Sequence, residues 1–322
     1  MKRNMLFALL AAAFTIAPAT TATAQTSANP NQVAILRWYA ANLTASFSVG
    51  SAPRGIAYDG GNIWVTLQGS NQVAKIRPSD GVVLGTYTVG NSPIGIVSDG
   101  AAIWVSNFGD NTVTKLQAST GTVLNVFNMI KLKSSGPQGM VFDGTYVWIA
   151  NSGSNSVVRL RATDGHCLFP CSFSVGTGTA PSQLAFDGSN IWSSNYNNTV
   201  TKLRASDGAC VSTCTYNTIA APGGLAFDGS YMWVSILNNV LKLRISDGAI
   251  MVNTTAGAWE GGLVYDGVNV WLSGGTNVYE IRPSDGAILG TFPGAGGTSG
   301  SVAFDGASVW VVNGNGGSVL KY

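Results

Sequence analysis

The stretch FDGTYVWIA, residues Phe142–Ala150, has six close copies elsewhere in this chain of 322 residues. The other copies are YDGGNIWVT from Tyr58, SDGAAIWVS from Ser98, FDGSNIWSS from Phe186, FDGSYMWVS from Phe227, YDGVNVWLS from Tyr265 and FDGASVWVV from Phe304. Successive tryptophans of this motif are 38 to 44 residues apart. A repeat near 40 residues is typical of a β-propeller or a solenoid.

Each repeat contains four short segments with the composition of β-strands. One period reads GIAYDG, NIWVTLQG, QVAKIRPSDG and VVLGTYTVG, in which β-branched and aromatic residues run up to Gly, Asn or Asp. No segment has the hydrophobic period of a helix. The Asp-Gly pairs suit tight turns between antiparallel strands. The sequence therefore predicts an all-β fold, a seven-bladed β-propeller of four-stranded antiparallel blades.

The last blade lacks a fourth strand after the seventh motif, and the start of the chain offers one. LTASFSVG, residues 43–50, matches LGTYTVG, residues 84–90. We expect this N-terminal strand to close the last blade and cover its edge. QVAILR, residues 32–37, also resembles a third strand, and the sequence leaves the role of this duplicate open.

The first residues have the pattern of an export signal. Lys2 and Arg3 precede the apolar run LFALLAAAFTIA, and small residues at 22–24 suit cleavage. We expect a signal peptide over 1–24, a lead-in over 25–42 and the propeller over 43–322, in a secreted or periplasmic protein. Removal of the signal leaves 15 basic and 15 acidic residues. This neutral balance makes nucleic-acid binding unlikely, because such binding needs a basic field. No later segment is apolar enough to span a membrane.

The repeat sequence PRGIAYDGGNIWVTLQGSNQVAKIRPSDGVVLGTYTVG, residues 53–90, resembles YVTN and NHL-type propeller repeats. Among these it is similar to secreted bacterial proteins of the streptogramin lyase-like group, over residues 43–322. The resemblance implies the architecture and a binding region around the central channel. It implies no single activity, because such propellers include lyases, lactonases, binding proteins and scaffolds.

The two faces of the predicted disc differ in sequence variability. The first turns (FDG) and third turns (SDG) share one face and hardly change, whereas the second turns and the loops between blades share the other face and vary. We predict that binding occurs on this variable face. The candidates there are Arg54, Gln138, Trp259 and Glu260 in loops between blades, Phe108 and Tyr196 in second turns, and Asn107, Asn151, Asn195 and Asn313 just after second strands. The asparagines either form a ring of amides at the channel mouth or brace their loops by bonding backbone.

Most ionisable residues recur with the repeat and are expected to be structural. The Asp of each Asp-Gly turn belongs to this set. Glu280 occupies a position where other repeats have Lys or Arg, and we expect a solvated strand face there. The one histidine, His166, lies at a third turn on the invariant face. That is the wrong place for the channel histidine that the lyase resemblance implies, and a Ser-His-Asp triad or a multi-histidine metal site is likewise unsupported.

Four cysteines form two local pairs at matching positions of adjacent blades. In an exported chain these predict disulfides Cys167–Cys171 and Cys210–Cys214, each closing a small outward loop. The alternative is one zinc ion held by all four thiolates.

The sequence thus favours a non-enzymatic, monomeric propeller that binds a peptide, glycan or protein partner through the variable face. No cofactor is predicted, although the sequence leaves open a single calcium or magnesium ion held by Asn and backbone carbonyls. One alternative is a metal-assisted lyase or hydrolase that uses Glu260, Arg54 or Asp110. Another is a single-stranded nucleic-acid binder.

Overall fold

The computed structural model describes residues 45–210, 214–257, 261–294 and 300–322. Its strands form seven four-stranded antiparallel sheets, which are the blades of a propeller. Blade 1 contains β2 (Pro53–Tyr58), β3 (Ile63–Leu67), β4 (Gln72–Ile76) and β5 (Val83–Thr88). Blade 2 contains β6 (Pro93–Ser98), β7 (Ala102–Asn107), β8 (Thr112–Gln117) and β9 (Val123–Asn128). Blade 3 contains β10 (Pro137–Phe142), β11 (Tyr146–Asn151), β12 (Ser156–Arg161) and β13 (Ser172–Ser174).

The remaining four blades repeat the arrangement. Blade 4 contains β14 (Pro181–Phe186), β15 (Asn190–Asn195), β16 (Thr199–Arg204) and β17 (Thr215–Asn217). Blade 5 contains β18 (Pro222–Phe227), β19 (Tyr231–Ile236), β20 (Asn239–Arg244) and β21 (Ile250–Thr255). Blade 6 contains β22 (Leu263–Tyr265), β23 (Val270–Gly274), β24 (Asn277–Ile281) and β25 (Ile288–Pro293). Blade 7 contains β26 (Val302–Phe304), β27 (Val309–Asn313), β28 (Ser318–Lys321) and, from the start of the chain, β1 (Ala45–Ser48).

The ring closes as the sequence predicts. Strand β1 pairs antiparallel with β28, with Ala45 opposite Lys321 and Ser48 opposite Ser318. Phe47 of β1 also packs on the Trp310 ring, with centroids 5.7 Å apart. The fourth strand of blade 7 is therefore supplied from the N-terminal side, and the sheet edge of β28 is covered. The predicted signal peptide, the lead-in and the QVAILR segment lie outside the described residues.

The motif tryptophans hold neighbouring blades together. Six of the seven are completely buried: Trp64, Trp104, Trp148, Trp192, Trp233 and Trp310. In every copy the indole Nε1 donates to the Asp five residues earlier, at 2.6–2.8 Å. The other oxygen of that carboxylate accepts backbone N–H groups of the first turn, as Asp143 does from Thr145 and Tyr146. This confirms interblade packing and a structural role for the periodic Asp.

Basic side chains on the third strands also bridge the blades, which corrects the expectation of a solvated strand face. Lys75 is 8% exposed and its Nζ donates to the carbonyl oxygens of Ala118 and Ser119 in blade 2. The ammonium also lies over the Trp64 ring, 5.2 Å from its centroid. Corresponding cations are Lys115, Arg159, Lys202, Lys242 and Lys321. These positions are desolvated because the next blade packs over them.

A different group occupies the equivalent place in blade 6. Glu280 lies opposite Trp271 and accepts from Asn269 Nδ2 at 2.7 Å. Trp271 is half-buried, unlike the other six motif tryptophans. Blade 7 has no turn between its third and fourth strands, because β28 and β1 come from opposite ends of the propeller chain. A cation from blade 6 therefore lacks the turn carbonyls that Lys75 uses.

The part of the chain that the structure describes contains no helix with the length and hydropathy of a membrane span.

Both predicted disulfides are present: Cys167 with Cys171 and Cys210 with Cys214, with Cα–Cα distances of 5.5 and 5.4 Å. The zinc alternative for these cysteines is therefore wrong, since all four sulfurs are bonded in pairs.

Candidate ligand-binding site

A cavity of about 530 Å³ lies at the centre of the ring and extends to the loops of the variable face. Its walls come from the first half of the inner strand of every blade, and its rim includes second-turn residues of blades 1, 2 and 4. A volume of this size is typical of small-molecule sites. A cavity therefore opens on the predicted variable face.

Hydroxyl groups on the second strands fix the spacing of the inner strands around this cavity. Thr66 Oγ1 accepts from the N–H of Gly55 at 2.7 Å and donates to Ile94 O of the next blade at 3.0 Å. Ser106 repeats this bridge between Gly95 and Gln138. The bridge lies where a bulge breaks the pairing of the first two strands, so the hydroxyl satisfies backbone groups that the ladder leaves unpaired.

Close approach of the inner strands explains the glycine one residue after Arg54. A Cβ on Gly55 would lie 2.3 Å from Ile94 O, and one on Gly95 would lie 2.1 Å from Gln138 O. A side chain at either of these two positions would collide with the next inner strand. Glycine there therefore allows the inner strands of blades 1, 2 and 3 to approach closely, whereas blade 4 has Gln183 at this register.

The cavity wall is asymmetric. At the position of Arg54, blades 2, 3 and 4 present Ile94, Gln138 and Ser182, whereas blades 5 and 7 present Gly223 and Gly300. At this register side chains project from blades 1 to 4, whereas blades 5 and 7 have glycine.

Arg54 is the charged side chain of the described cavity lining. It is exposed, and its Nε donates to Gln68 Oε1 at 2.8 Å. Gln68 Nε2 in turn donates to Ser92 Oγ at 2.8 Å, so the orientation of the guanidinium is fixed through blade 2. Among the described residues no carboxylate lies within ion-pair distance of Arg54. Five other arginines each pair with the Asp three residues later: Arg77, Arg161, Arg204, Arg244 and Arg282.

Two aromatic rings reach the rim of the cavity, as their sequence positions predict. Phe108 is 41% exposed and Tyr196 is 52% exposed, and both line the cavity. The backbone N–H of Phe108 donates to Ser92 O at 3.0 Å, which ties the second turn to the loop that leads into the same blade. Large apolar rings held in place at a cavity mouth provide contact surfaces for a ligand.

The predicted asparagines lie elsewhere. Asn107, Asn151 and Asn195 are completely buried in the sheets, and the structure does not place them on the cavity. Asn107 Nδ2 donates to Thr112 Oγ1 and Thr114 Oγ1, at 3.0 and 2.8 Å, and Asn195 bonds the matching threonines of blade 4. Asn107 and Asn195 thus bond threonine hydroxyls and not the backbone, whereas Asn151 Nδ2 donates to the backbone oxygen of Ile149 at 2.9 Å. None of the three lines the cavity.

The remaining candidates divide between the cavity and other places. Gln138 is half-buried and lines the cavity. Asn313 is half-buried and braces its turn through Ser318 and the N–H of Gly316. Trp259 and Glu260 lie outside the described residues, two and one positions before Gly261.

Sequence reasoning missed Gln68, Ser182 and Gln183, which also line the cavity. Gln68 is the residue of blade 1 that is equivalent to Phe108 of blade 2 and Tyr196 of blade 4. An alignment of the repeats therefore identifies Gln68 as a further residue of the variable face. Ser182 and Gln183 both follow Pro181 at the start of an inner strand: Gln183 stands where the neighbouring blades have Gly139 and Gly224, and Ser182 stands at the register of Arg54 and Gln138.

The third-turn aspartates, whose pKa values are lowered, lie at the opposite end of the blades. The side-chain hydrogen bond from Arg204 lowers the pKa of Asp207 to about 2, and Arg244 and Arg282 do the same for Asp247 and Asp285. His166 is exposed there, and its backbone N–H donates to Asp164. The described residues contain no group of three His, Cys, Asp or Glu able to hold a metal ion.

Comparisons with known proteins identify the fold. No family model matches the chain, and no curated protein matches it either. Among solved structures it is similar to a streptogramin B lyase, with a TM-score of 0.73 and 19% identity over 87% of this chain and 96% of that one. A virginiamycin B lyase from Staphylococcus aureus gives 0.72 and 18% over 87% and 98%. The hydrazine synthase of Kuenenia stuttgartiensis gives 0.69 and 15% over 86% and 96%. At these identities the similarity establishes the propeller architecture.

Proposed function

We propose that this chain is an extracellular or periplasmic binding module that holds part of a peptide, a glycan or a protein partner in the central cavity of its variable face. The observation that carries the proposal is the lining of this cavity. A single guanidinium, neutral amides and hydroxyls, and exposed aromatic rings surround about 530 Å³ of space. Such a surface can bind by hydrogen bonding and apolar contact.

The two disulfides support an oxidising compartment for this function, because such bonds are rare in reducing cytosol. The described lining contains the hydroxyls of Ser182, Ser301 and Tyr196 but no His, Asp, Glu, Lys or Cys that could activate them. Binding is therefore better supported than a lyase or hydrolase reaction, although the fold is shared with lyases. Glu260 is the acidic residue that the catalytic alternative would use, and it is tested directly below.

The experiment is a screen of the immobilised mature chain against a glycan array and a peptide library, followed by titration calorimetry of the hits. We expect Phe108→Ala to weaken binding of a genuine hit about tenfold or more, since it removes a contact surface at the rim. Phe169→Ala is the matched control, because Phe169 is 97% exposed and lies in the Cys167–Cys171 loop away from the cavity lining.

Two results would contradict the proposal. One is that hits bind Phe108→Ala and Gln138→Ala as tightly as the parent chain, which would place binding elsewhere. The other is turnover of a hit that is abolished by Glu260→Gln, which would make the chain an enzyme and favour the metal-assisted alternative.

A further inference from the structure

We propose that the cavity takes a saccharide that carries a carboxylate group and that this carboxylate pairs with Arg54. The inference rests on the proposed binding function and specifies the ligand class for that site. It comes from the chemistry of the lining, which combines Arg54, a cation with no carboxylate partner in the described part of the chain, with groups that suit hydroxyls.

The guanidinium of Arg54 is oriented and still has bonding capacity. Its Nε is engaged by Gln68, while the described residues accept no bond from its two terminal nitrogens. The five arginines of the third turns instead use their carboxylate partners within the same turn. The planar fork of a guanidinium matches a carboxylate or a phosphate through two parallel hydrogen bonds.

The charge of the lining favours a carboxylate over a phosphate monoester. Arg54 contributes one positive charge, and the other described lining residues are neutral. One positive charge balances a carboxylate, whereas a phosphate monoester near neutral pH carries between one and a half and two negative charges, roughly. The excess negative charge would be desolvated without a partner, which is costly.

The neutral lining groups indicate a ligand rich in hydroxyls. Gln138 and Gln183 each carry both donors and acceptors, and Ser301 adds a hydroxyl. Sugar hydroxyls also donate and accept, so both partners of each contact are satisfied. The exposed Phe108 ring offers an apolar surface to the C–H face of a pyranose.

The test uses a disaccharide with one carboxylate, glucuronosyl-glucose, and its methyl ester, which has the same shape without the charge. Titration calorimetry of the parent chain should show the acid binding about tenfold more tightly than the ester. Arg54→Gln should abolish this preference, and Arg54→Lys should keep only part of it, because an ammonium lacks the fork. Arg77→Gln, a change of the same kind at a third turn, should leave the preference intact.

The outcomes distinguish the assignment of a carboxylate-bearing saccharide from the proposed binding function of the cavity. Equal binding of acid and ester, a preference that survives in Arg54→Gln, or no binding of the acid at all would overturn the carboxylate–saccharide assignment. Preferential binding of the peptide acetyl-Ala-Ala over the disaccharide would also overturn it, because a peptide carboxylate would then be the ligand. If Phe108→Ala still weakens the binding of another hit, the cavity remains a binding site.

Discussion

Lys75 of blade 1 donates its ammonium protons to Ala118 O of blade 2, at 2.8 Å, while it lies over the Trp64 ring of its own blade. The same relationship joins Lys115 to Ala162 at 2.6 Å. The strand pattern suggests that this charge is exposed to solvent. It is instead enclosed at the boundary between two blades. These bonds link sheets that have no shared backbone ladder, so they help determine how the ring closes.

Replacing Lys115 by Met should destabilise the propeller by about 2 kcal/mol, since the change removes charged hydrogen bonds and leaves Ala162 O and Thr163 O unpaired. Urea unfolding followed by tryptophan fluorescence measures the effect. Arg77→Met is the control: Arg77 makes an exposed ion pair, and its loss should leave the midpoint unchanged within error. Equal midpoints for both variants would show that the buried cation contributes nothing to stability.

Glu280→Lys introduces a basic residue, as found at the other six blade boundaries (five Lys and Arg159), yet we expect no gain in stability. Blade 7 has no turn between β28 and β1 to accept from the new ammonium, and the bond from Asn269 is lost. Thermal unfolding monitored by circular dichroism should give a Tm equal to or below that of the parent chain. Glu280→Gln, which can still accept from Asn269, is the comparison. A clear rise in Tm for the lysine variant would refute the explanation.

The third-turn ion pairs should make stability fall as the pH drops from about 4 to about 2. The pKa of Asp207, Asp247 and Asp285 is lowered to about 2, below the unfolded value of about 3.9. The folded state then binds fewer protons than the unfolded state in this window, so protonation favours unfolding. Urea midpoints measured from pH 5 to pH 2 should decline less in Asp247→Asn than in the parent chain. The effect of one pair should be small because the pairs are exposed.

Removing either disulfide should lower stability modestly without altering the fold. Each bond joins residues only four apart, and closing so short a loop removes about 2 kcal/mol or less of unfolded-chain entropy. The double variant Cys167→Ser with Cys171→Ser should retain the β-sheet circular dichroism spectrum and binding to the cavity. Loss of cooperative unfolding in this variant would show that the loop has a larger structural role.

Much of the fold follows from the repeat. The Trp spacing and the Asp-Gly turns predict seven blades, and the match between residues 43–50 and 84–90 predicts the closing strand. Both are confirmed. The variation of the second-turn and interblade loops predicts binding on that face, which stays a prediction, and a cavity opens there. The candidates Arg54, Phe108, Gln138 and Tyr196 do line that cavity.

The environments of the asparagines and the third-strand cations could not be predicted, because repeat spacing and residue type do not show whether a side chain is buried. Asn107 looks like a loop residue on the variable face, but its side chain turns into the sheet and is completely buried. Lys75 looks like an exposed strand residue, but the neighbouring blade covers it. In both cases a different part of the chain, brought close only by the ring, decides the environment of the side chain.

The sequence by itself determined the number of sheets, their strand order and the turns that join them, because these depend on local periodicity repeated many times. Only the tertiary structure decided which polar groups face solvent, which groups bond across to another sheet, and that the guanidinium of Arg54, which has no carboxylate partner among the described residues, stands at a cavity in the middle of the ring. Those properties arise from contacts between residues far apart in the chain, and no local pattern encodes them.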